Sequence, residues 1–152
     1  MKRISKHISY KEATHSNYAT QYGIKNKPNE EQVENMKLLA EEVFEPLREY
    51  VEAPIRVNSM FRSLELNSAL KGSPTSSHMK GEAIDITSMG GKSNLDMFHW
   101  IKDNLDFDQL IWEFGNEPKW LHVSFNKDKN RKQILVTKKQ GVYYTYTNNK
   151  TF

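Results

Sequence analysis

The sequence predicts an α+β protein, a mostly antiparallel sheet with helices packed on it. Helix-period apolar patterns lie mainly before residue 105, whereas from residue 109 onward four short segments alternate apolar and polar residues with period 2. The last two segments are joined by the short turn Lys138-Lys139-Gln140-Gly141, which predicts an antiparallel hairpin.

Residues 1 to 28 are polar and aromatic without clear periodicity, and Tyr10, Tyr18 and Tyr22 are expected to pin this lead-in onto the rest. A helix follows, because Val33, Met36, Leu39, Ala40, Val43, Phe44 and Leu47 recur at three- and four-residue steps. Asn29 is its expected N-cap, with Gln32 completing a capping box, and Pro46 predicts a kink or early stop. Ile55–Ser59 reads as a strand after Pro54. A turn at 60–62 leads into a short helix over 64–71, stopped by Gly72. Ala83, Asp85 and Thr87 alternate with Ile84 and Ile86 in the next strand. Gly90 and Gly91 then mark a flexible connection, expected at the rim of a cleft. A second amphipathic helix covers about 93–104, and strands follow over 109–114, 120–125, 133–137 and 142–146.

The 152 residues suit one domain spanning 1–152, large enough for a hydrophobic core. With 37% apolar and 27% charged residues and no long apolar run, neither a membrane span nor a membrane partner is expected. Cysteine is absent, so any metal must be held by nitrogen and oxygen. The start, Met1-Lys2-Arg3-Ile4-Ser5, has basic residues without an apolar stretch after them, so no ordinary secretory signal is visible. The net charge is +3, with a local excess in Lys127, Lys129, Arg131, Lys132, Lys138 and Lys139. A hairpin edge kept soluble by lysines explains that excess better than a nucleic-acid surface does, and no nucleic-acid partner is expected.

The chemistry centres on Ser76-Ser77-His78-Met79-Lys80-Gly81-Glu82-Ala83-Ile84-Asp85-Ile86. The strand pattern turns the Asp85 carboxylate away from the apolar row, and Gly81 permits the tight approach that brings His78 beside it. In Trp120-Leu121-His122-Val123-Ser124 the imidazole of His122 likewise stands opposite an apolar row. Two imidazoles and one carboxylate with a fourth position open are the ligand set of a catalytic zinc. His7, His15 and His99 have no motif around them and read as surface residues.

These stretches, preceded by Ser59-Met60-Phe61-Arg62-Ser63 and Asn67, resemble the zinc-dependent peptidases of the M15 type, which share a fold with the hedgehog signalling domain. The resemblance covers nearly the whole chain and implies a hedgehog/DD-peptidase-like fold, with Zn2+ held by His78, Asp85 and His122. It gives Arg62 the role of binding a substrate carboxylate or steadying a developing oxyanion, work for which a planar guanidinium is suited. Many members carry an acidic residue three positions before the last histidine, where this chain has Lys119. The base must then come from elsewhere. Glu113 alternates with Trp112 and can share the polar face of a strand adjoining His122, and the hedgehog-like branch points to it as well; Glu117, in the turn Gly115-Asn116-Glu117-Pro118, is the alternative. Ser76 is a substrate hydrogen-bond donor or a plain loop serine, and Trp120 a wall of the cleft or packing.

The resemblance implies a peptidase acting on peptidoglycan stem peptides, either as a D-alanyl-D-alanine carboxypeptidase or as an endolysin-type endopeptidase, and a monomer is expected. The absence of a visible signal and of a wall-binding repeat favours a phage-type lysin, made in the cytoplasm and acting on the cell wall. A zinc-holding recognition module of the same fold is the alternative, and Lys119 is the residue that keeps it open.

Overall fold

The computed structural model describes residues 3–147. The single-domain expectation over 1–152 extends past both ends, and Met1, Lys2 and residues 148–152 lie outside the described residues.

The lead-in has regular structure after all. It forms a small hairpin, β1 (Arg3–Ser5) and β2 (Ile8–Ser9), then two short helices, α1 (Tyr10–Thr14) and α2 (Asn17–Tyr22). Strands of two or three residues and helices of about one turn are too short to show a hydrophobic period. Aliphatic residues do the pinning: Ile4, Ile8 and Ala13 are buried, and Tyr10 packs beside them. Tyr18 and Tyr22 are exposed and lean on one another, ring centroids 4.5 Å apart. His7 is not a free surface residue, since its Nδ1 and backbone N–H both meet the Glu45 carboxylate, at 2.6 and 2.9 Å. His15 meets the Asn17 side chain at 2.9 Å.

Helix α3 (Glu30–Leu39) starts at the expected Asn29 capping box. It passes through a widened π turn, Ala40–Phe44, into α4 (Glu45–Val51). Pro46 therefore does not stop the helix. The π turn lets the Glu45 N–H bond back to the Ala40 carbonyl just before the proline, absorbing the irregularity that a missing donor imposes. The apolar stripe from Met36 to Val51 is buried along both helices and the turn between them.

The remaining elements are β3 (Ile55–Ser59), α5 (Leu64–Ala69), a 3-10 turn over Ser77–Lys80, β4 (Ala83–Ser88), α6 (Asn94–Asn104), β5 (Gln109–Glu113), β6 (Trp120–Ser124), β7 (Gln133–Lys139) and β8 (Val142–Thr145). Six of these strands form one sheet in the order β3-β4-β6-β5-β7-β8, antiparallel throughout except for the parallel pair β5 and β7. The α+β class with a mostly antiparallel sheet is as the sequence predicts. Helix α5 ends before Gly72; the left-handed residue there is Lys71, with φ 58°. Gly72 is needed for space instead, because a Cβ on it would lie 2.2 Å from Asn67 Oδ1.

Period 2 divides the sheet into two faces. Ile84, Ile86, Leu110, Trp112, Leu121, Val123 and Val136 point into the core shared with Met36, Phe44, Leu47, Phe98 and Ile101. Asp85, Ile111, Glu113, Trp120 and His122 point to the opposite face, which forms the floor of a cleft. The glycine connection after β4 is not part of its rim: Gly91 packs against the Val51 carbonyl, and neither Gly90 nor Gly91 lines the cleft. The basic stretch near the C-terminal hairpin is partly structural, as Arg131 grips Asp108 through Nε and Nη2 at 2.8 and 2.9 Å. Among the described residues no helix is long and apolar enough to cross a membrane.

Two polar side chains of α3 fasten the loop that carries His78. Gln32 uses Oε1 to cap its own helix and Nε2 to donate to the Met79 carbonyl at 3.1 Å, and Asn35 donates to the Lys80 carbonyl at 2.9 Å. The close approach needs Gly81, whose φ is 74° and whose missing Cβ would sit 2.4 Å from the Gln32 carbonyl oxygen. Gly81→Ala should therefore destabilise the fold by about 2–4 kcal/mol, combining left-handed strain with overpacking. Gly23→Ala, where φ is 64° but nothing lies within 4 Å, should cost only about 1–2 kcal/mol. Chemical denaturation of the two variants checks the difference.

Candidate metal centre

The centre is assembled by sheet register and by one interlocked pair of loops. Asp85 on β4 and His122 on β6 are direct cross-strand partners, and His122 is in turn opposite Ile111 on β5. His78 comes from the 3-10 turn, where its backbone N–H donates to Ser76 Oγ at 3.2 Å. Its imidazole Nδ1 meets the Met60 carbonyl at 2.7 Å, and its own carbonyl accepts the Arg62 N–H at 3.1 Å. The segment around Met60 and Arg62 and the turn bearing His78 thus hold one another.

The three sequence-predicted ligands converge. His78 Nε2 lies 3.3 Å from Asp85 Oδ2, His122 Nδ1 lies 2.9 Å from Asp85 Oδ1, and the three donor atoms all fall within 4.8 Å of one another. Ligand atoms about 2.0–2.1 Å from a tetrahedral zinc would be roughly 3.4 Å apart, so only small adjustments separate this spacing from a closed coordination sphere. A second observation concerns charge. A carbonyl oxygen cannot donate, so the Met60 contact fixes a proton of His78 on Nδ1 and leaves Nε2 facing a carboxylate oxygen. Either a proton or a metal ion can occupy the space between that nitrogen and the carboxylate. The donor set and its geometry fit a divalent metal ion.

Burial by itself would raise the Asp85 carboxyl, but the His78 charge and the hydrogen bonds from His122 and His78 outweigh it and hold the group well below the usual carboxylate range. Arg62 reaches the same carboxylate, with Nη2 3.7 Å from Oδ2, and is steadied by Ser59 Oγ at 3.2 Å from its Nε. The turn beneath Arg62 is tied down by Asn26, which accepts from the Ser63 N–H and donates to the Phe61 and Thr14 carbonyls.

Glu113 lies on the cleft face, one cross-strand step from Trp120 and diagonal to His122. Its carboxyl is pushed from 4.5 to about 7, chiefly because it is half-buried, with the Asp85 charge adding to the rise and His122 opposing it. Glu117 is exposed in the turn between β5 and β6 and does not line the cleft. Lys119 precedes β6, out of phase with His122, and does not line it either. Ser76 and Trp120 are both cleft residues; the Ser76 hydroxyl also holds the His78 turn, and the Trp120 ring leans on Phe114 with centroids 5.3 Å apart. The cleft, of about 530 Å³, also takes in residues that sequence reasoning missed: Gln109, Leu135, Gln140 and Tyr143. For Gln109, Leu135 and Tyr143 only parity with Ile111 and Glu113 across the sheet could have pointed to them, and Gln140 comes from the turn between β7 and β8.

The sequence model of a protein family described as Peptidase M15 matches residues 6–124. The chain belongs to the peptidase M15 family. The matched stretch contains Arg62, Ser76, His78, Asp85, Glu113, Trp120 and His122, and it ends at the last residue of β6. No curated protein matches the chain.

The raised carboxyl of Glu113 has a consequence for stability. A folded-state value near 7 means the folded chain holds this proton more tightly than the unfolded chain, so stability is lost as pH rises from about 4.5 to about 7. With chelator present, Glu113→Gln should stabilise the protein by about 1–2 kcal/mol at pH 8, after discounting for partial solvent exposure, and by almost nothing at pH 4. Denaturation at the two pH values measures this directly.

Proposed function

We propose that this chain is a zinc peptidase of the hedgehog/DD-peptidase fold that hydrolyses the stem peptides of peptidoglycan, working as one monomeric catalytic domain. The observation that carries the reading is the convergence of His78, Asp85 and His122 on a cleft floor beside a half-buried carboxyl, Glu113, in a member of the peptidase M15 family. Both a terminal D-alanyl-D-alanine bond and an internal stem-peptide bond suit the reading, and the phage-lysin origin belongs to it as well.

When bound by these three side chains, zinc supplies Lewis acidity at an open position, polarising a carbonyl and making water more acidic. The protein's own groups do the rest. Glu113 takes a proton from the attacking water and gives it to the departing amine nitrogen, so that one water adds across the broken amide. Its raised carboxyl suits both halves of that transfer near neutral pH. Arg62 offers paired N–H donors to a substrate oxygen, from a position that Ser59 and the Asn26-anchored turn keep fixed. Ser76 and Trp120 complete the substrate walls.

Mass spectrometry of purified muropeptides, incubated with and without chelator, tests the reading and identifies the bond. Cleavage should disappear with chelator and return with zinc. His78→Ala or His122→Ala should abolish it together with zinc binding. Glu113→Gln should keep zinc and lower kcat by about 10²–10⁴-fold. It should also remove the acid limb of the kcat/KM profile, which a bound dication shifts to below about 7 in the wild type. Undiminished cleavage by Glu113→Gln would reject Glu113 as the base. Zinc and muropeptide binding without turnover in the wild type would favour the recognition module.

A further inference from the structure

The cleft is not made only by the stretch that the family match covers. That match ends at Ser124, yet one side of the cleft is built by the later hairpin of β7 and β8, through Leu135, Gln140, Gly141 and Tyr143. The register places Tyr143 in line with the proposed base: Trp120 is opposite Glu113, Glu113 is opposite Thr137, and Thr137 is opposite Tyr143. All four share the cleft face.

Two strand spacings of about 4.8 Å separate the backbones of Glu113 and Tyr143, and a tyrosine side chain is long enough to cover most of that interval. The residue between them does not obstruct it. Thr137 is small and buried, and its hydroxyl is turned to the Lys139 carbonyl at 2.9 Å. The register of β7 shifts immediately beyond this pair, so that Lys139 rather than Lys138 is opposite Val142. A bulge of this kind re-aims the strand next to it.

Tyr143 has no evident structural duty. The residue is 51% exposed on an edge strand, outside the buried core, and among the described residues its hydroxyl makes no hydrogen bond. It nevertheless feels the centre, for its hydroxyl is made harder to ionise by burial first and then by the charges of Glu113 and Asp85. A phenol kept protonated is a donor to oxygen. Arg62 stands beside β4 and Tyr143 on β8, with the strands that carry His122 and Glu113 between them.

We propose that Tyr143 is a substrate-binding residue of this cleft, walling it on the side away from Arg62 and donating its hydroxyl to a peptide carbonyl of the substrate. The proposal deepens the peptidase reading and rests on it. Tyr143→Phe removes the donor and keeps the wall; Tyr143→Ala removes both. With the muropeptide whose cleavage the wild type supports best, Tyr143→Phe should lower kcat/KM about 5- to 20-fold, mainly through KM. Tyr143→Ala should lower it further, while zinc content and the denaturation midpoint of both variants stay at the wild-type values. The same muropeptide, titrated into zinc-loaded Glu113→Gln and into Glu113→Gln carrying Tyr143→Phe, gives a readout that needs no turnover. Weaker binding by the double variant supports the proposal even if the wild type cleaves nothing, an outcome that would sink only the peptidase reading. Wild-type kcat/KM in both Tyr143 variants and unweakened binding by the double variant overturn the proposal and leave the peptidase reading standing. A protein that neither cleaves nor binds muropeptides overturns both.

Discussion

The contact between the His78 imidazole and the Met60 carbonyl is the constraint on which the centre depends. It decides which ring nitrogen carries the proton, and so which one faces Asp85. It also closes a loop of mutual support, because the Arg62 amide returns a hydrogen bond to the His78 carbonyl. A candidate ligand, His78, and the cleft's arginine are thereby positioned by the same two contacts. Neither residue lies on a strand, and without this interlock two mobile connections would have to be ordered separately, each at an entropic cost.

The sheet supplies the other half of the geometry, and does so through register alone. Asp85 and His122 are adjacent because β4 and β6 pair with those residues opposite one another, and Glu113 is on their side because β5 is in phase with them. A slip of one residue in any of these pairings would put an ionisable group into the apolar core. Burial of Ile84, Ile86, Leu110, Trp112, Leu121 and Val123 on the other face makes such a slip costly. The core thus enforces the site's spacing without touching it.

How much of this was legible beforehand follows from the range of the signals. The strands and the side chains that converge from them could be read because period 2 is local and strict, and the Asn29 cap because capping chemistry spans only four residues. The lead-in was not legible, since its elements are shorter than any period, and its anchors Ile4, Ile8 and Ala13 are scattered aliphatics. Pro46 marked where the helix becomes irregular but not how, because propensity carries no information about a π turn. Tyr143 escaped notice because its relation to Glu113 passes through Thr137 and a parallel pairing of β5 with β7 that no local pattern encodes. The supporting amides of Asn26, Gln32 and Asn35 act across 12 to 47 residues of sequence, beyond the reach of any motif.

Gln32 spends one end of its amide on starting a helix and the other on bracing the loop that presents His78. Helix initiation and presentation of that imidazole are therefore coupled through one side chain. Occupancy of the cluster should consequently reach back to the first turn of α3, slowing solvent exchange of its amide protons far from the ion itself. The helix becomes a remote reporter of whether the centre is filled.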